Sequence, residues 1–238
     1  MKKFSNNDLN GSFENAGKIE LKLGRSELNK FSKTNALLNE WYLMFAYSNS
    51  EFAVGNAESD DISSEFYHFG IGQTEGLGYY GPHISFIPYI SQSLIWSKMD
   101  EYSSNSNTPI SSNDEEILGR YKDTFRFGDR VLYGFKFDIL STLQLSLNYE
   151  TGVIYPRTLF LKWVGSFLLA QVGYNALNVA AGKWVDDSPV FGPIVNMLVR
   201  TGYVYAYYAL RKDNMNRPFQ TETPLRYEGF NFALSFLL

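Results

Sequence analysis

Residues 124–149 read TFRFGDRVLYGFKFDILSTLQLSLNY, and the parity of the side chains along this stretch decides the fold class. Odd positions carry Phe125, Phe127, Asp129, Val131, Tyr133, Phe135, Phe137 and Ile139, then Leu143, Leu145, Leu147 and Tyr149. Even positions carry Arg126, Gly128, Arg130, Lys136, Asp138, Gln144, Ser146 and Asn148. Successive side chains of a strand point to opposite faces, so a period of two predicts two strands. Each has one apolar, aromatic face and one face of charges, glycines and amides. The break at residues 140–142 has the size of a tight hairpin turn.

Residues 227–238 alternate again, with Phe230, Phe232, Leu234, Phe236 and Leu238 opposite Gly229, Asn231, Ala233 and Ser235. Five large apolar groups on one face of a terminal strand need a partner surface. This arrangement resembles the closing strand of Gram-negative outer-membrane β-barrel proteins, here with Leu in place of the usual terminal aromatic. The resemblance implies an all-β, antiparallel transmembrane barrel in the outer membrane, in which this strand pairs with the first. The alternating segments and the ~10-residue strand that spans a membrane size it at roughly eight to ten strands. Outer-membrane lipids, and other envelope proteins, are the partners it implies.

A chain of 238 residues suits a single barrel, and its 17 Tyr and 19 Phe suit a lipid-facing surface rimmed by aromatic girdles. An aromatic-rich soluble sandwich or barrel is the alternative. A formal charge of −4 without a basic patch excludes nucleic acid as a partner. With no cysteine there is neither a disulfide framework nor a thiolate metal site, and no cofactor is expected. Met1, Lys2 and Lys3 resemble the start of a signal peptide, but residues 5–12 are polar, so the expectation is an outer-membrane protein whose signal is missing from this sequence.

Residues 1–17, rich in Asn, Ser and Gly, read as a mobile arm, and 18–238 as one barrel domain. Short strands are expected at Lys18–Leu23, Trp41–Tyr47 and Tyr67–Ile71, and a solvated loop at 55–64. From Tyr80 to Trp96 the apolar set lies on even positions, which sends Pro82 and Pro88 toward lipid and His83, Ser85, Ser91 and Ser93 toward the lumen. Residues 102–116 read as a long external loop. Residues 158–181 are apolar all round without a period of two, so a helix is expected there, and 189–210 is similar although Tyr203, Tyr205 and Tyr207 also fit a strand. Two membrane-spanning helices do not share a bilayer with open strands whose edges are unpaired. One or two apolar helices inside or beside a barrel, or a soluble sheet wrapped around a helix and an apolar ligand, reconcile the patterns.

The run Gly70-Ile71-Gly72 with Gly76 and Gly78 lacks the spacing of a phosphate loop and reads as a glycine-rich turn. The acidic pairs Asp60/Asp61, Glu115/Glu116 and Asp186/Asp187 read as solvated loops, so no metal site is expected. His83 and Ser85, two apart on one strand face, are the candidate catalytic pair, with Ser85 as nucleophile and His83 as base. The pair looks like the His-x-Ser element of outer-membrane phospholipase A and lipid A deacylase, which implies a lipid esterase. The third group that orients the imidazole has no motif here, Glu101 and Asn105 being only neighbours in sequence, and the apolar phase also reads the pair as plain lumen residues, like His68. Arg126, Arg130, Lys136 and Asp138 are expected to line the lumen, where charges either border a pore or pair off to plug it. A barrel this small points to a narrow channel, a scaffold or a subunit of an envelope complex.

Overall fold

The structure, a computed structural model, describes residues 1–30, 34–53, 61–81, 84–104, 110–140, 142–187 and 191–237. Eight antiparallel strands close into a ring in sequence order: β1 (Lys2–Ser5), β2 (Asn15–Lys30), β3 (Asn35–Asn49), β4 (Ile62–Tyr79), β5 (Ser85–Ser104), β6 (Arg126–Leu140), β7 (Leu143–Ile154) and β8 (Leu225–Phe236). Helix α1 (Ser112–Gly119) lies between β5 and β6, and helices α2 (Phe160–Asp187) and α3 (Gly192–Leu210) lie between β7 and β8.

The parity read from the sequence becomes the two faces of this wall. Tyr42, Met44, His68, Thr74, Ser91, Ser93, Arg130, Lys136, Asn148 and Glu150 are buried on the inner face. Ile19, Leu21, Leu23, Leu43, Phe45, Phe69, Phe135, Leu147, Phe230, Phe232 and Leu234 are exposed on the outer one. A ring of eight strands leaves room for only one layer of side chains inside, and two glycines make that room. A Cβ on Gly72 would lie 2.4 Å from Cζ of Tyr42, and one on Gly152 would lie 2.1 Å from Cζ of Tyr227. The glycines of residues 70–78 therefore belong to β4, where Gly72 admits the Tyr42 ring and Gly76 the Ile87 side chain, and not to a turn.

The two ends of the ring differ. At one end the strands are joined across residues 31–34, 80–84 and 141–142; at the other the connections run over 6–14, 50–61, 105–125 and 155–224. This second end is closed by an apolar plug of Phe4, Phe13, Phe66, Met99, Ile117, Leu118, Tyr121, Leu225 and Tyr227. Phe4 and Phe66 stack with centroids 4.3 Å apart. Ser111 caps α1 by accepting a hydrogen bond from Asp114 N, and the Asp114 carboxylate accepts from Asn10 N and Gly11 N at 3.0 and 3.2 Å. Those bonds hold α1 as the lid of the plug.

Several expectations are corrected. The segment read as a mobile arm supplies β1, which pairs with both β2 and β8, because Phe4 enters the plug and the Lys2 ammonium reaches Glu150 in the lumen at 3.1 Å. The terminal strand therefore closes through Arg226–Gly229 on β1; beyond Gly17, β2 pairs only with β3, and beyond Gly229, β8 pairs only with β7 among the described residues. Ile62 and Ser64, read as loop, begin β4 and are buried, while most of 55–64 lies outside the described residues. The strand read over 80–96 starts at Ser85 and runs to Ser104, and α1 begins at Ser112, so 102–104 and 112–116 of the segment read as a loop are strand and helix, while 105–109 lie outside the described residues. Pro82 lies outside the described residues. Pro88 is on the outer face as its phase requires, but it lies against α3 beside Pro193 and Asn196, and the β4–β5 pairing skips from Gly76↔Tyr89 to Tyr79↔Phe86 around it.

Both apolar segments of 158–210 are helical, and Pro193 occupies the first turn of α3, where a missing N–H costs nothing. The hairpin lies beside the barrel: Met197 and Val204 of α3 pack on Ile90, Val131, Tyr133 and Tyr149, all outward residues of β5 to β7. The sheet does not wrap around a helix.

Candidate functional site

The lumen is crossed by ion pairs. β2 and β6 stand opposite each other in the ring, and Arg130 of β6 spans it, with Nη1 2.6 Å from Oε2 of Glu20 and 3.6 Å from Oε1 of Glu150. Lys18 bridges the same two carboxylates at 2.6 and 2.5 Å, Lys22 approaches Glu20 at 3.3 Å, and Asn231 donates to Glu150 at 2.6 Å. Lys136 pairs with Glu40 of β3. Tyr42 bonds Ser91 and Ser93 at 2.6 and 2.8 Å, and His68 bonds Ser97 through Nδ1 at 2.7 Å. Of the four residues expected to line the lumen, Arg130 and Lys136 are in this network. Asp138 accepts from Gln144 at 2.7 Å nearer the short turns, and Arg126 lies outside the network, its Nε donating to the Arg120 carbonyl at 2.5 Å. The charges pair across the lumen. In the plug, burial pushes the Tyr121 hydroxyl above its usual range, and it accepts a hydrogen bond from Leu225 N at 3.0 Å.

Lys2, Lys18, Glu20, Glu40 and Glu150 escape a reading centred on β6. Their own parity marks Lys18 and Glu20 as inward, opposite Ile19 and Leu21, but nothing local says that β6 lies across the ring from β2.

A second site forms where the hairpin meets the wall. Arg211, at the end of α3, holds Asp129 of β6 through two nitrogens at 2.6 and 2.7 Å and donates to the Tyr155 hydroxyl at 3.0 Å. Arg200 reaches Glu75 of β4 at 2.7 Å and donates from Nε to Tyr174 of α2 at 2.6 Å. Gln171 donates to Gln92 of β5 at 3.4 Å. The helices are joined by Ser166 with Tyr207 at 2.6 Å and by Tyr203 donating to the Ala170 carbonyl at 2.9 Å. Gly173 lets them approach, since a Cβ there would lie 2.2 Å from the Tyr203 oxygen. Between hairpin and wall remains a cavity of about 410 Å³, bordered by Leu94, Val131, Trp163, Phe167, Ala170 and Tyr203, with Asp129 and Arg211 also in its lining. The signal for this site was present: Asp129 interrupts an otherwise apolar face, and Arg200 is the lone charge of its segment.

Ser85 is buried on the inner face, register partner of Asp138, and its expected base His83 lies outside the described residues. No group of three or more His, Asp or Glu among the described residues is placed to hold a metal ion. Glu115 and Glu116, read as loop, are on α1. Compared with known proteins, the chain matches no family model, no curated protein and no solved structure.

Proposed function

We propose that this chain is an integral outer-membrane β-barrel that acts as a plugged scaffold, carrying a helical hairpin against its lipid-facing wall. The observation that carries this reading is the height of the apolar belt. Near the plug, Phe69, Trp96, Phe125, Phe127 and Trp163 form one chain of ring contacts; near the short turns, Tyr79, Phe86, Phe135 and Phe137 form another. Phe86 and Trp96 mark the two levels on β5, about 33 Å apart along a strand. A tilt of about 40° reduces that to about 25 Å, the height of the outward apolar band of outer-membrane barrels between their aromatic girdles. Short turns at one end and long connections at the other fit the same architecture, with the plug on the outer side. Among the described residues no helix is long and apolar enough to cross a membrane, so on this reading it is the strands that cross.

A scaffold is favoured over a channel because the lumen holds Arg130, Glu20 and Glu150 in contact and α1 closes one end. The test is fractionation with a gel: the chain is expected in the outer membrane, to migrate differently before and after boiling, and to give no steady conductance in a planar bilayer. A monomer that partitions into water without detergent overturns the membrane reading, and a stable open conductance overturns the plugged one.

A further inference from the structure

We propose that the cavity between the hairpin and the barrel wall binds one acyl chain of a membrane lipid, with the oxygen-bearing head of that lipid at the Arg211 end; this rests on the membrane reading above. The volume of about 410 Å³ falls in the range of small-molecule sites, about 300–1,000 Å³. Its shape is set by both partners, barrel and hairpin, so it exists only because the helices dock.

Three features name the occupant. The first is continuity with the outer belt: Trp41, Ile71 and Phe167 line the cavity and are also 62, 46 and 41 % exposed, so its mouth opens sideways among the residues that face lipid. The second is the order of its lining. At the level of the girdle near the plug stand Trp163, Ser166, Tyr207 and the Asp129–Arg211–Tyr155 group; two turns further along α2, about 12 Å at 1.5 Å per residue, stands Gln171 on Gln92. Between these two polar levels the lining is apolar, Leu94, Val131, Phe167, Ala170 and Val204, a stretch along which an acyl chain fits with its head at the Arg211 end. The third is Arg211 itself, which lines the cavity and is buried, and whose Nε has no hydrogen-bond partner among the described residues. Asp129 neutralises the guanidinium, so the Arg211–Asp129–Tyr155 group makes this end of the cavity polar but net neutral, suited to the ester or protonated carboxyl oxygens of a lipid head more than to a second full charge. An apolar chain in an apolar crevice gains contacts that water in the same space would lose.

The full chain is reconstituted in vesicles of phosphatidylethanolamine and phosphatidylglycerol containing a trace of phospholipid with a mid-chain diazirine, irradiated, and its labelled residues mapped by peptide mass spectrometry. A parallel sample receives a diazirine fatty acid alone. Labelling is expected to concentrate on Phe167, Ala170, Tyr203 and Val131, to saturate, and to be displaced by unlabelled lipid. Ala170→Trp on the helix side and Val131→Trp on the wall side each fill the cavity, and either is expected to reduce labelling there to the level of Phe232 while the gel shift on boiling persists. Whichever probe labels the cavity identifies the source as phospholipid or free fatty acid. If cavity residues are labelled no more than Phe232 and Leu43, the acyl-chain site is wrong and the membrane reading stands. If Phe232 and Leu43 are not labelled either, the membrane reading fails with it.

Discussion

The barrel has a bare side and a covered side, built from strands of one pattern but with different outward chemistry. On β2, β3 and β8 the outward residues include the exposed apolar set Ile19, Leu21, Leu23, Leu43, Phe45, Phe230, Phe232 and Leu234, and toward the short turns β2 adds an exposed ion pair, Arg25 with Glu27 at 2.7 Å. On β4 to β7, beneath the hairpin, the same outward phase presents Gln73, Glu75, Gln92 and Asp129 among Ile90, Val131 and Tyr149. The two carboxylates that lie beneath the hairpin each meet one of its arginines, Glu75 with Arg200 and Asp129 with Arg211. In hydrocarbon an unpaired charge is costly, so a polar residue on the outward face of a membrane barrel marks the place where protein, not lipid, covers it. The hairpin is held there by polar pairing; apolar packing alone would not distinguish one side of the belt from the other, since α2 itself exposes Leu168, Leu169 and Val172 to the surroundings.

The contrast can be broken most severely at its best-buried pair. Asp129→Ala removes one partner and leaves the Arg211 guanidinium without its carboxylate under the hairpin, which is expected to cost about 3–5 kcal/mol. Denaturant unfolding in detergent checks the magnitude, and early proteolytic cleavage within residues 155–224 checks that the hairpin is what lets go. Replacing both partners, Asp129→Leu with Arg211→Met, is expected to recover most of that loss; failure to recover would mean that docking does not turn on this pair.

On the bare side the expected effect is of the next size. Phe232→Arg places a charge in the middle of the exposed apolar belt and, on the membrane reading proposed above, should cost on the order of 2 to 4 kcal/mol, whereas Ala233→Arg, its neighbour on the inner face, is governed by the space in the lumen. Equal tolerance of both changes in refolding into vesicles would remove the distinction between the two faces. The smallest effect is Leu43→Ala: the residue is half exposed and touches the surroundings, so stability should stay within about 0.5 kcal/mol by the same unfolding measurement, unless another protein covers that side.

How much of this was legible beforehand varies residue by residue. The period of two in residues 124–149 placed Arg130 and Lys136 inside and Phe135 and Leu147 outside, and it did so without any neighbour being known. The loss of that period in 158–181 was enough to expect a helix, and α2 is there. By contrast, Lys2–Ser5 holds only two residues per face, too short a run to register as a pattern, and it was read as an arm although it closes the ring. The run of glycines in β4 looked like a turn because what fills the space beside each of them, the Tyr42 ring over Gly72 and the Ile87 side chain at Gly76, is contributed by other strands.

Alternation is a property of the extended backbone at each residue, so the sequence by itself determined which side chains of β6, β7 and β8 share a face and that residues 158–181 lack the period of a strand. Pairings between residues 110 positions apart, such as Glu20 with Arg130, follow from ring closure, which brings β2 and β6 to opposite sides of one narrow lumen. The side of the wall that carries the hairpin was likewise decided only in the tertiary structure. An apolar helix packs on any apolar face, and it takes Glu75, Gln92 and Asp129, assembled from three strands, to offer Arg200, Gln171 and Arg211 a surface on which each of them finds a partner.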